Sequence, residues 1–283
     1  MLRAQGREGV VINADSAQVY ADLAVLSARP SPSEMQGVEH CLFGEWDGAQ
    51  ACSAADWAAR AREVIAKVHA RSAVPILVGG TGLYLRTLLD GIAPVPPIDP
   101  AVREVVRAMA VTEAYTALQS EDPARAAALN PGDTTRIARA LEVVRSTGTP
   151  LTEWQAERIG GIAGQVDLHP LILLPPRDGL YERCDRRFAL MLDHGAMDEV
   201  RLLLSRNLDP NLPVMRAIGV PEIAGVLAGE FDRDEAEKQG AQATRNYAKR
   251  QYTWFRNQPP DDWPRVESFD YDLPAVFASL LHV

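Results

Sequence analysis

A carboxylate closing an apolar run is the first pattern in this chain that could do chemistry. Residues 9–12 read Gly-Val-Val-Ile, and the polar cluster Asn13-Ala14-Asp15-Ser16-Ala17-Gln18 follows at once. The run reads as a buried strand that delivers side chains to the rim of a sheet. In open α/β sheets ligands bind outside the carboxyl ends of the strands, so Asp15 there could take or orient a substrate proton. Spacing alone leaves a second reading open, in which Asp15 or Ser16 caps a helix. A similar junction follows Ile76-Leu77-Val78, where Gly79-Gly80-Thr81-Gly82 separates a strand from a helix. Glycines let backbone approach a ligand closely and a helix N-terminus favours an anion. A tight turn with no ligand would read the same way. Arg216 sits among apolar neighbours in the stretch 212–222, so it needs either a carboxylate partner or an anionic ligand. Residues 244–256 interleave basic and aromatic side chains, which suits phosphate contact and base stacking but equally a core helix with a basic outer face.

The elements that would position these residues follow from periodicity and punctuation. Ser53 and Asp56 resemble a capping box ahead of a helix whose Trp57, Ala61, Val64, Ile65 and Val68 share one face. Ile76-Leu77-Val78 predicts a second buried parallel strand, and Gly91 ends the short helix after it. His40 is a lone histidine with no metal-ligand spacing around it. From Pro94-Val95-Pro96-Pro97 onward the character becomes helical, with starts at Asp99-Pro100, Thr112 and Asp122-Pro123. The best of these helices covers 134–146 and stops at Gly148. His169 to Leu174 predicts a buried strand, followed by helices from Asp178 to Gly195, over 197–204, over 234–256 and over 273–283. The pattern predicts an α/β fold: a core over 1–96 and 168–283 with a parallel sheet, and a helical insertion over 97–167.

Composition narrows the function classes. The chain has 283 residues, 47% of them apolar and 24% charged, which is ordinary for a globular protein. No apolar run has the length of a membrane span, and residues 1–7 contain no h-region, so a cytoplasmic protein without a secretory signal is expected. Cys41, Cys52 and Cys184 are scattered and suggest neither disulfides nor zinc. A net charge of −9 weighs mildly against nucleic acid, although a basic stripe can lie on an acidic protein. Lys67, Lys238 and Lys249 are the only lysines, so positive charge is carried by arginine, whose fork suits phosphate, although a GC-rich genome gives the same bias and is the preferred explanation.

Six stretches, in order, resemble the bacterial tRNA dimethylallyltransferases. They are residues 15–20, 27–30, 77–84, 136–143, 216–219 and 248–256, including Asp15-Ser16-Ala17-Gln18-Val19-Tyr20, Arg216-Ala217-Ile218-Gly219 and Ala248-Lys249-Arg250-Gln251. The resemblance implies transfer of a dimethylallyl group from its diphosphate to N6 of adenine 37 beside the tRNA anticodon. It also implies a core like that of the P-loop kinases and a helical domain that grips the anticodon stem–loop. By that resemblance Asp15 is the base or orienter, and Thr81 and Arg216 lie near the diphosphate and the target base. Contact with tRNA is implied for Asp15, Ser16, Ala17, Gln18, Thr81, Arg103, Asp133, Thr134, Thr135, Arg136, Ile137, Lys249 and Arg250. Magnesium is implied as cofactor, tRNA and dimethylallyl diphosphate as partners, and a monomer as the working form.

One departure is large. The family begins with a strand and a G-x-x-x-x-G-K-[ST] loop that holds the diphosphate and magnesium, and no stretch of these 283 residues has that motif. The expectation is that the first strand and P-loop precede Met1, through a start placed too late or a truncation, and that the core lacks a central strand. A smaller departure is Val220-Pro221 after Ile218-Gly219. A non-catalytic binder of tRNA anticodon arms is the alternative. A prenyltransferase acting on free adenine nucleotide is a third reading, which the helical segment disfavours because a free nucleotide needs no such grip.

Overall fold

In the computed structural model, residues 2–278 are described, and they form two compact units, 1–88 with 165–283 and 89–164. The first unit is built on β1 (Gly9–Asn13), whose Val10, Ile12 and Asn13 are buried. β1 lies between β2 (Glu39–Cys41) and β3 (Val74–Val78), and both pairings are parallel. The sequence reading had no strand around His40, because three residues without alternation carry no period-2 signal. Between β2 and β3 runs α1 (Ala54–Ala70). Its Ser53–Asp56 capping box and its buried face of Trp57, Ala61, Val64, Ile65 and Val68 are as the spacing predicts.

β3 departs from expectation. It is parallel but not buried: Ile76 is 36% and Val78 53% exposed. The cause is its place in the sheet, since among the described residues no strand pairs with its outer edge. α2 (Gly82–Asp90) follows, and Gly91 at φ +85° ends it.

The helical unit contains α3 (Pro100–Ala108), α4 (Val111–Glu121), α5 (Pro123–Ala127), α6 (Thr134–Thr147) and α7 (Leu151–Trp154). Asp99, Asp122 and Asp133 cap three of them through their side chains, and Gly148 at φ +71° closes α6. Val106, Leu118, Ile137, Ala140 and Leu141 form the core. The unit begins at Leu89 and ends at Gly164, wider at its start than the proline run suggests. Asp90 pairs with Arg158 and Ile92 bridges to Ile159, so both flanks close on each other before Pro94.

The chain then returns to the first unit. The strand expected over 169–174 shrinks to β4 (Ile172–Leu173), because Pro170 and the Pro175-Pro176 pair offer no backbone donors for a longer ladder. α8 (Arg177–Asp193), α9 (Ala196–Ser205), α10 (Val220–Ala228) and α11 (Arg233–Asn257) follow. β4 pairs with β5 (Arg265–Val266) in a separate two-stranded sheet. α8 packs on α11, where Phe188 lies against Gly240 and Asp185 pairs with Arg245. On α8 Cys184, Phe188 and Leu192 are buried, while Tyr181 and Met191 are half-buried. α10 went unread in the sequence, although Gly219 and Gly229, both at positive φ, bracket it. Pro221 lies in its first turn, where the missing N–H costs nothing, which accounts for the Val220-Pro221 departure. Of the helix expected over 273–283, α12 (Leu273–Val276) is seen, and residues 279–283 lie outside the described residues.

Candidate active site at the strand tips

The carboxyl ends of β1 and β3 are laced together, and Asp15 stands on the seam. Ala14 N–H donates to Val78 O at 2.8 Å and Thr81 N–H to Ala14 O at 3.1 Å. Thr81 Oγ1 accepts the Ser16 N–H at 2.9 Å and donates to Ser16 Oγ at 3.2 Å. Asp15 caps no helix. Its Oδ1 accepts the Ala17 N–H at 2.8 Å within a turn, which overturns the helix-capping reading of this stretch. Asp15, Ser16, Ala17, Gln18 and Thr81 are therefore brought together, as one cluster at the sheet's rim.

Asp15 is held from below by Asn13, a fully buried residue that the sequence reading passed over. The Asn13 amide accepts the Asp15 N–H at 2.8 Å and donates to Asp15 O and Leu42 O, each at 3.0 Å. An amide at the end of an apolar strand is the signal that could have revealed it, since a buried polar side chain must find partners. Gln18 donates to Ser27 O and Ala28 O. That loop is itself fixed by Glu199 of α9, whose carboxylate accepts the N–H groups of Ala24, Val25 and Leu26 at 2.6–2.9 Å.

Burial is the largest influence on Asp15 and raises its pKa above the usual aspartate value. The N–H groups of Ala17 and Gln18, and the charge of Arg187, pull the other way. A carboxylate held partly desolvated is a better proton acceptor than one in water. Arg187, on the exposed side of α8, is the cation whose field reaches Asp15, and the sequence reading gave it no role.

The glycines between β3 and α2 serve the protein's own packing. A Cβ on Gly79 would run into the Ala14 carbonyl, on Gly80 into Gln251, and on Gly82 into the Trp254 ring. Gln251 also donates to Gly80 O at 3.0 Å, so α11 presses on the loop that carries Thr81. The aromatic residues of α11 are accordingly turned to protein: Trp254 to Gly82, and Tyr252 under the Arg177 guanidinium at 4.7 Å. Lys249 and Arg250 remain on the exposed side. The aromatic side of this stretch thus meets protein, while Lys249 and Arg250 face outward.

Arg216 is exposed rather than embedded among apolar side chains. It donates to Asn211 Oδ1 at 2.6 Å and has no carboxylate partner among the described residues. Its segment packs on the loops after β1 and β2, with Gly219 against Leu26 and Val214 against Gly48. In the helical unit Arg103, Thr134, Thr135 and Arg136 are exposed, and Asp133 caps α6 through Arg136 N–H. Ile137 is wholly buried in that unit's core, so it offers RNA no side chain and serves to seat α6.

Removing the Thr81 hydroxyl isolates its contribution. Thr81→Val keeps the shape and leaves the Ser16 N–H without its acceptor, an expected loss of about 1 kcal/mol in denaturant unfolding.

The described residues hold no group of three or more histidine, cysteine or acidic side chains placed to bind a metal. At the strand tips Asp15 offers one carboxylate, and the hydroxyls of Ser16 and Thr81 are engaged with each other. Magnesium keeps several waters and is commonly held by one or two carboxylates together with substrate phosphates, so these residues would supply only part of its coordination shell.

A family model described as IPP transferase matches residues 18–258. The chain belongs to the IPP transferase family. Asp15 lies three residues before the matched range, two residues past the end of β1. Among curated relatives, a tRNA dimethylallyltransferase of Erythrobacter litoralis is 67% identical over 99% of this chain and 88% of its own length. One of Novosphingobium aromaticivorans is 64% identical over 99% of both. A solved eukaryotic dimethylallyltransferase, described as acting on tRNA, shares the fold with a TM-score of 0.74 at 26% identity, over 89% of this family member and 65% of that chain. No described helix of this IPP transferase family member is long and apolar enough to cross a membrane.

Proposed function

We propose that this chain transfers a dimethylallyl group from dimethylallyl diphosphate to N6 of adenine 37, next to the anticodon of tRNAs. The observation that carries the reading is the seam of Asp15 and Thr81 at two parallel strand ends, in a chain 67% identical to a protein named tRNA dimethylallyltransferase. The adenine amine attacks C1 of the allylic group, the C1–O bond breaks, and the diphosphate leaves with the electron pair. Asp15 accepts the N6 proton, because the exocyclic amine is a poor nucleophile that must lose one. Stabilising the departing diphosphate is the other requirement, and Arg216, without a carboxylate partner, Arg187 and the Thr81 hydroxyl are the groups assigned to it. Lys249 and Arg250 on α11, with the helical unit's Arg103, Asp133, Thr134, Thr135 and Arg136, are assigned to the tRNA backbone. The names of the relatives favour catalysis over a non-catalytic tRNA binder.

The diphosphate cradle itself is assigned to a G-x-x-x-x-G-K-[ST] loop on a further strand laid along β3. What supports this is the sheet: β3's outer edge is open among the described residues, and Ile76, Val78 and Leu173 of β4 stand 36%, 53% and 46% exposed. A strand there would cover Ile76 and Val78, and its loop would hold the metal with the diphosphate. The test uses native protein from its own cells, with its intact mass recorded, incubated with dimethylallyl diphosphate and unmodified tRNA. Prenylated adenosine in the nucleoside digest, and a mass above that of the 283 residues, are the expected results. Absence of the modified nucleoside overturns the activity, and a mass equal to the chain with activity retained overturns the cradle.

A further inference from the structure

Three arginines surround one buried carboxylate in the helical unit. Glu142 of α6 is 1% exposed, and its Oε1 accepts from Arg107 Nε at 2.8 Å. Arg103 Nε and Arg139 Nη1 lie 3.9 Å from its Oε2, within ion-pair range but beyond a hydrogen bond. Arg103 and Arg107 are one turn apart on α3, and Arg139 is one turn before Glu142 on α6, so two helices supply the cluster.

The charge does not balance. One carboxylate faces three guanidiniums, and Arg103 and Arg107 both act against the protonated state of Arg139, which burial already disfavours. A buried carboxylate is served by one guanidinium at hydrogen-bond distance. The other two add repulsion without adding a hydrogen bond, and as a device for stability alone they are a poor choice. All three remain open to solvent, Arg107 most of all. Arg136, a turn before Arg139, continues the line of cations along α6 and is more exposed still.

We infer that Arg103, Arg107 and Arg139 form a clamp for the sugar–phosphate backbone of the RNA substrate, and that Glu142 is a positioning residue which spaces the guanidiniums without touching RNA. The inference rests on the proposed action on tRNA. Guanidinium forks match phosphate oxygens in pairs, and such contacts position a nucleic acid without reading its sequence. Glu142 holds the Arg107 fork by a hydrogen bond and draws the other two toward it by charge before RNA arrives, so less side-chain freedom is lost on binding.

The test is equilibrium binding of tRNA to the full chain over a range of salt concentrations. Arg107→Gln and Arg139→Gln are each expected to weaken binding and to reduce the log–log salt slope by about one. Glu142→Gln separates positioning from charge: it makes the cluster more positive, so charge alone would tighten binding, whereas loss of positioning weakens it. Thermal unfolding of each variant shows whether it is folded. If Glu142→Gln does not fold, the Arg107 and Arg139 variants decide the clamp. Unchanged affinity and slope in both, with wild type binding tRNA, overturn the clamp and leave the tRNA reading standing. Tighter binding by Glu142→Gln overturns its positioning role. Wild-type protein that does not bind tRNA overturns both.

Discussion

Asp15→Asn is expected to lower the rate of prenyl transfer by about 10²- to 10⁴-fold, the usual worth of a general base, while tRNA affinity stays nearly intact. The amide keeps an oxygen for the Ala17 N–H, so the turn that holds position 15 is preserved and only the proton acceptor is lost. Single-turnover transfer and tRNA binding, measured on the protein as its cells make it, separate the two effects. Unchanged turnover would sink the role assigned to Asp15. The pH dependence gives a second reading of the same group. Burial raises the Asp15 pKa, so the acid limb of transfer should lie above the ordinary aspartate range and rise with pH as the carboxylate forms. The stability effect has the opposite sign. A raised folded-state pKa means the folded chain holds the proton more tightly than the unfolded one, so this contribution favours folding at low pH and fades as pH rises through the raised pKa. Near neutral pH the neutral Asn therefore costs no stability through charge, and the variant should melt no earlier than wild type. An early melt would turn a catalytic result into a structural one.

Much of this site was legible because strand ends announce themselves. An apolar run that stops at a polar cluster located Asp15, and a second run that stops at glycines located Thr81. Sequence could not say that the two runs are neighbours in register, with Asn13 opposite Val78, because pairing between distant strands leaves no local trace. Asn13 and Glu199 were overlooked for a related reason. Their work includes satisfying backbone groups of other segments, Leu42 O in one case and the N–H groups of residues 24–26 in the other, and those partners are far away in sequence. The helical unit was easier. Asp99, Asp122 and Asp133 are local caps, and Ile137, Ala140 and Leu141 carry the helical period, so α3, α5 and α6 could be drawn from sequence. The aromatic residues of α11 misled because composition cannot tell which face of a helix meets protein; Trp254 meets Gly82.

Gly79→Ala is expected to damage the site without touching a catalytic group. The glycines after β3 suggest room for a ligand, yet the added methyl at 79 would collide with the Ala14 carbonyl and come within 2.7 Å of the Asp15 backbone nitrogen. Neither obstacle is a flexible side chain. Ala14 is tied to Val78 and Thr81 by backbone hydrogen bonds, and the Asp15 N–H is tied to Asn13, so the strand ends can part only by breaking that lacing. Overpacking of this kind costs roughly 1–3 kcal/mol. Displacement of Asp15 by as little as about 1 Å costs on the order of 10²-fold in rate, because a proton acceptor works only at hydrogen-bond reach. Transfer should therefore fall about as far as the mildest outcome for Asp15→Asn, together with a lower melting temperature that Asp15→Asn lacks. Gly80→Ala is the matched control, since there the obstacle is the end of the Gln251 side chain, which can swing aside. Equal losses in the two variants would mean that the loop, rather than the crossing of the two strand ends, holds Asp15 in place.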